Sequence, residues 1–189
     1  MKKSTEKPDI GKRTLEGFAH ARRYNAWLLS RILPGLAGRT LLEVGCGLGN
    51  ITRLLVPEWR VTAVDIRKDY TAALARELGI TARTVDLSRR EPFRECFDSA
   101  ICLNVLEHIE QEEAALRSIC KALRPGGRFA VLVPAFGWLY GPVDKALAHQ
   151  RRYTRRSLAA ALVAAGFTVR RTFYFNAFGI PGWFWRNRI

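Results

Sequence analysis

Acidic residues run out early in this chain. Seventeen Asp and Glu stand against thirty-one Lys and Arg, and none follows Asp144, while Arg151, Arg152, Arg155, Arg156, Arg170, Arg171, Arg186 and Arg188 all do. The resulting formal net charge of +14 attracts phosphates, anionic lipid head groups or acidic substrates, and speaks to partners rather than to fold. Plain solvated surface charge is the alternative. Cysteine is sparse and unpatterned: Cys46, Cys96, Cys102 and Cys120 form no Cys-x-x-Cys pair and no finger spacing, so no metal site is expected. Three of them sit in or beside apolar runs, where Cys acts as a small hydrophobe, and a reduced, cytoplasmic compartment fits best. The basic start is followed by no apolar segment of signal-peptide type, and no apolar run is long enough to span a bilayer. Internal repeats and long Pro/Gly/Ser linkers are also lacking.

What is present suits one domain. A chain of 189 residues, 48% hydrophobic and 25% charged, can bury a substantial core. Only a basic stretch over residues 1–10 is expected to be disordered, with residues 11–189 forming the domain. In residues 11–35 the pattern Leu15, Phe18, Ala19, Ala26, Leu29, Ile32, Leu33 suits an amphipathic helix stopped at Pro34-Gly35. Apolar runs at 40–45, 60–65, 81–86, 97–103 and 128–133 read as strands. Between them, 50–56, 69–78 and 110–123 read as helices. A helix over 154–165, closed by Gly166, and a strand over 167–175 end the pattern. The alternation predicts an α/β fold, doubly wound on a mostly parallel sheet with helices on both faces.

Right-handed crossovers place the carboxyl ends of parallel strands on one rim, where such sheets bind ligands. Gly45-Cys46-Gly47-Leu48-Gly49 follows the first strand, Asp65 ends the second, Asp86 the third, and Asn104 follows the fourth. Glycines after a buried strand let the backbone turn sharply and approach a ligand. Asp65, twenty residues beyond Gly45, can accept hydrogen bonds from two ribose hydroxyls. Asn50 occupies the place next to Gly49, so the longer Gly-x-Gly-x-x-Gly turn of nicotinamide sites is not met. Glu43, among Leu41, Leu42 and Val44, is a costly carboxylate to bury without a partner.

The segments 41–50, 64–66, 85–87, 97–109 and 123–127, in this order and spacing, resemble the class I, Rossmann-like S-adenosylmethionine-dependent methyltransferases, of the ubiquinone/menaquinone-biosynthesis type. The resemblance covers residues 39–135 and implies S-adenosylmethionine as cofactor. Gly45, Cys46, Gly47 and Gly49 would then back onto its methionine and ribose parts, with Glu43 receiving the methionine end. Asp65 with Ile66 would hold the ribose, Asp86 and Leu87 the adenine, and Asn104 and Val105 the surroundings of the sulfonium. The further strand that the family inserts beside strand five is not found, so a sheet lacking its last strand is expected.

Methyl transfer from a sulfonium needs an in-line acceptor and at most one base. Residues 136–189 are expected to supply a lid, a helix and a strand on the substrate side. The segment His149-Gln150-Arg151-Arg152-Tyr153 resembles the family's His-x-Arg-x-Tyr, with His149 and Tyr153 as candidate catalytic groups. Arg151, Tyr140, His108 and Tyr24 are candidate substrate contacts; the alternative makes His149 and Tyr153 loop anchors and the arginines solvated charge. Aromatics crowded beside arginines from Phe173 onward suggest peripheral contact with an anionic membrane surface or, alternatively, interrupted core. Three functions stay open: methylation of oxygen or carbon on a small, lipid-like or quinone-type acceptor; RNA modification, disfavoured because Asn104 is followed by Val105-Leu106; and a truncated cofactor-binding domain without activity.

Overall fold

The computed structural model describes residues 16–17 and 21–175. The expected basic segment 1–10 and the chain beyond Phe175 lie outside the described residues. Helix α1 (Arg22–Ile32) leads into β1 (Thr40–Val44), α2 (Thr52–Leu55), β2 (Arg60–Asp65), α3 (Lys68–Leu78) and β3 (Thr81–Thr84). Then come β4 (Phe97–Leu103), α4 (Glu112–Ala122), β5 (Leu123–Leu132), the short α5 (Pro142–Ala146) and α6 (Arg155–Ala164).

The five strands form one sheet in the order β3-β2-β1-β4-β5, and every pairing is parallel. Strand period two divides the core. Leu42, Val44, Ala100 and Cys102 face α4 and pack with Leu116 and Ile119. Leu41, Val61 and Ile101 face the other way, onto Leu29 of α1 and Leu55 of α2. Ala63 meets Leu74 of α3 on that second side. Both faces are therefore covered, and the chain reverses direction across the sheet between β1 and β4. That reversal opens a crevice at the carboxyl ends of these two strands.

Most expected elements form, with trimmed ends. Residues 85–86 leave the third strand, and the helix expected over 50–56 shrinks to α2. One expectation is corrected: residues 167–175 are not a strand of the sheet. Their apolar side chains dock, with the Phe167 ring stacked on Phe129 at 5.0 Å and Val169 against the core. The main chain finds no ladder partner there, so alternation alone does not make a strand. Among the described residues β5 is thus the last strand, paired on one side only.

Candidate active site

Gly45 turns with φ +76°, and a Cβ on it would lie 2.2 Å from a Val105 methyl. Only a bare backbone lets the loop after β1 close against the loop after β4. The loop is tied to β2, because Gly45 N and Cys46 N both donate to Val64 O, at 2.8 and 3.1 Å. Asp65 completes the bend: Oδ2 accepts from Gly47 N at 2.9 Å and Oδ1 from Arg67 N at 2.9 Å. The carboxylate so fixed stands on the strand neighbouring the glycine turn, at the same rim.

A groove of about 2380 Å³ passes along this rim and continues past the open edge of β5 to Leu36, Arg124 and Gly127 at the amino-end rim, so its volume belongs to a long channel rather than to one small-molecule pocket of roughly 300–1,000 Å³. Glu43, Gly45, Cys46, Gly47, Asp65 and Ile66 line it from β1 and β2. Asp86, Leu87, Asn104 and Val105 line it from the next two loops, and Tyr24 from α1. Gly49 does not line it. A Cβ there would sit 2.2 Å from Leu74, so this glycine serves the packing of α3. Asp86 accepts from Ser88 N and Ser88 Oγ at 2.9 and 2.6 Å, which orients it.

Glu43 is 4% exposed, and its Oε2 has no hydrogen-bond partner. Burial pushes its pKa up to about 7, the Thr52 hydroxyl opposing and the Asp65 charge adding. A buried carboxyl oxygen left open at a cavity wall is suited to a cationic ligand group.

The segment carrying His149 is built around a residue not anticipated from sequence. Asp144 is completely buried. It accepts from Arg152 Nε at 2.8 Å and Nη2 at 3.0 Å, from Gly141 N at 3.0 Å, and pairs with His149 Nδ1 at 2.8 Å. Burial works to raise the Asp144 pKa, but the bonds from Arg152, His149 and Gly141 outweigh it and hold the group ionised. An ionised acceptor at Nδ1 fixes the proton there and leaves the lone pair on Nε2. The His149 ring meets His108 edge to face at 4.8 Å, and both line the cavity. Burial, then His149, holds the His108 pKa below its ordinary value.

Glu107, 1% exposed, stands beside them with Oε2 unpartnered. Its pKa is pushed up to about 8, chiefly by burial. Donor atoms of Glu107, His108 and His149 all lie within 4.8 Å of one another, a set of the type that holds a divalent ion. Nothing in the chain's spacing announced it, because His149 stands forty-one positions beyond His108. Asp144 left a fainter trace, as the last acid of the chain, five residues before His149.

Two candidates serve the framework instead. Tyr153 is buried, its hydroxyl donating to Glu112 Oε2, and its pKa is raised by burial and by that carboxylate. Arg151 donates to the carbonyls of Ile109 at 2.7 Å and Glu110 at 3.0 Å, and reaches Glu112 at 3.2 Å. Tyr153 touches the cavity wall, whereas Arg151 and Tyr140 do not line it. The Tyr140 hydroxyl donates to His149 O at 2.7 Å, so it braces the segment carrying His149.

Comparison with known proteins bears on the family and the fold. A family model described as a methyltransferase domain matches residues 18–172. Among curated proteins, the ubiquinone biosynthesis O-methyltransferase of Idiomarina loihiensis is 30% identical over 50% of this chain and 42% of its own length. The chain thus spans less than half of that relative. An S-adenosylmethionine-dependent methyltransferase from Mesorhizobium loti shares the fold with a TM-score of 0.63 at 22% identity, covering 76% of this chain and 81% of that one. The phosphoethanolamine N-methyltransferase 2 of Haemonchus contortus, in complex with S-adenosyl-L-methionine, has a TM-score of 0.63 at 19% identity, over 77% of this chain and 36% of its own. The chain belongs to the methyltransferase-domain family, with its Rossmann-like α/β fold.

Proposed function

We propose that this chain transfers the methyl group of S-adenosylmethionine to an oxygen or carbon of a small acceptor, a quinone-type or otherwise lipid-like ring. The observation that carries the reading is the shared rim: Gly47 and Asp65 bonded to each other at 2.9 Å, with the open carboxyl of Glu43 in the same cavity. Glu43 and the glycine turn would receive the methionine end, Asp65 the ribose hydroxyls, and Asp86 and Leu87 the adenine. The cofactor brings the activated methyl group. The chain's own task is to hold the acceptor in line, exclude water and remove a proton. His149 has the free nitrogen for that proton, and Asp144 stabilises the imidazolium that results. Arg152 keeps Asp144 ionised. Tyr153 and Arg151, committed to Glu112, act as anchors of the segment.

The quinone-type acceptor rests on the Idiomarina loihiensis relative at 30% identity. Methyl-labelled cofactor offered to cell extract split into lipid, nucleic-acid and small-metabolite fractions tests it. Label is expected in the lipid or small-metabolite fraction, and label confined to RNA would contradict it. His149→Ala is expected to slow turnover and spare cofactor affinity; equal turnover would remove His149 as the base.

A further inference from the structure

Two runs of aromatic rings, which meet in the chain at the neighbours Tyr174 and Phe175, flank the groove lined by Tyr24, Phe136, Tyr174 and Phe175. Tyr24 packs on Trp27 at 5.8 Å and Trp27 on Phe175 at 4.4 Å. Tyr174, next in the chain, stacks on Phe136 at 4.6 Å, and Phe136 meets Trp138 at 6.0 Å. Three separate segments thus meet through their rings. In a core such rings would be covered, but Trp27 is 46%, Trp138 60%, Phe173 45% and Tyr174 46% exposed.

Cations occupy the same face. Arg155 and Arg156 line a shallow depression together with Thr154, Thr172 and Tyr174, and the Arg171 guanidinium lies 4.9 Å from the Phe173 ring centre. No acid follows Asp144, and α1 contributes Arg22, Arg23 and Arg31 without any acidic residue.

We propose that this face docks on an anionic lipid bilayer. Tryptophan and tyrosine rings settle at the depth of the head groups, and arginine guanidinium groups bind lipid phosphates while their stems cover apolar surface. The depression between Arg155, Arg156 and Tyr174 is a seat for one head-group phosphate. No helix among the described residues is long and apolar enough to cross a membrane. Rings at the rim favour a bilayer over a nucleic acid, since stacked bases would need the rings spaced along a groove. Docking would turn the cavity mouth toward the lipid phase, where an apolar acceptor is dissolved. The surface itself does not rest on the methyl-transfer reading.

The test is flotation of the full chain with vesicles of phosphatidylcholine alone and of phosphatidylcholine with phosphatidylglycerol. Partitioning is expected to be at least about tenfold stronger onto the anionic vesicles and to weaken with salt. Trp138→Ala and Arg156→Glu, both at exposed positions, are each expected to lower it several-fold while leaving thermal stability and cofactor affinity unchanged. Equal partitioning onto both vesicle types, or variants that float like the parent, would overturn the proposal. So would salt-sensitive binding of an unstructured RNA without flotation, or a dimer that Trp138→Ala dissolves.

Discussion

Asp98 at the amino-end rim of the sheet and two glutamates at the carboxyl-end rim are held in opposite ways. At the amino-end rim Asp98 is satisfied: Oδ2 accepts from Arg39 N, Thr40 N and Thr40 Oγ1 at 2.9, 3.0 and 2.8 Å, and Oδ1 accepts from Arg124. Those backbone and side-chain bonds hold its pKa well below the ordinary range. At the carboxyl-end rim Glu43 and Glu107 are more deeply buried yet each keeps an oxygen without a partner, and burial pushes both pKa values up. A sheet held together by the first rim can carry groups left open at the second. The difference separates a carboxylate whose bonding is complete within the chain from carboxyls that each keep one oxygen open.

Variants at both rims sharpen the contrast. The largest effect is expected for Asp144→Ala, which strands the buried Arg152 guanidinium and should cost about 3–5 kcal/mol in denaturant unfolding. Asp144, like Asp65 and Asp86, differs from Glu43 and Glu107 at its rim in being bonded within the chain, and a small loss would break the distinction drawn here. Asp98→Ala should cost about 1.5–3 kcal/mol, the range for hydrogen bonds to a charged group, with no effect on cofactor affinity. Its contribution is complete above the unfolded pKa near 3.8 and is lost as pH falls below that.

Glu107→Gln should act with the opposite sign. The folded state holds a proton on Glu107 up to about pH 8, against 4.5 for the free side chain. Wild-type stability therefore declines as pH rises through that window. The variant should lose the decline and gain about 1 kcal/mol at pH 8. The effect at Glu43 falls on binding rather than on stability, because its ionised form is the one that the proposed function sets against the cofactor's ammonium. With a pKa of about 7 in the empty site, cofactor affinity should rise between pH 6 and 8 by up to about tenfold and then level off. Glu43→Gln should bind weakly and without that slope. Calorimetry at three pH values decides it.

Much of the second rim was legible in the sequence because its signals are local. A strand followed by Gly45-Cys46-Gly47 and an acid at the end of the next strand can be read by counting, and both line one cavity. What escaped depends on folding distant segments together. Glu107 and His149 meet because Gln150 N donates to Glu107 O at 2.7 Å, and Asp144 is recognised only once Arg152 wraps it. Tyr153 and Arg151 suited a substrate pocket by residue type, yet Glu112 had already engaged them. The strand expected over 167–175 failed for a related reason: alternation describes side chains, whereas a strand also needs a neighbour for its backbone.

The central claim is that Gly47 and Asp65 face one nucleoside. Calorimetric titration of S-adenosylmethionine into the chain and into Asp65→Ala addresses it most directly. The expected result is one saturable site, weakened more than about tenfold in the variant as charged contacts to the ribose are lost. Absent binding, or equal affinity in the two proteins, would contradict it.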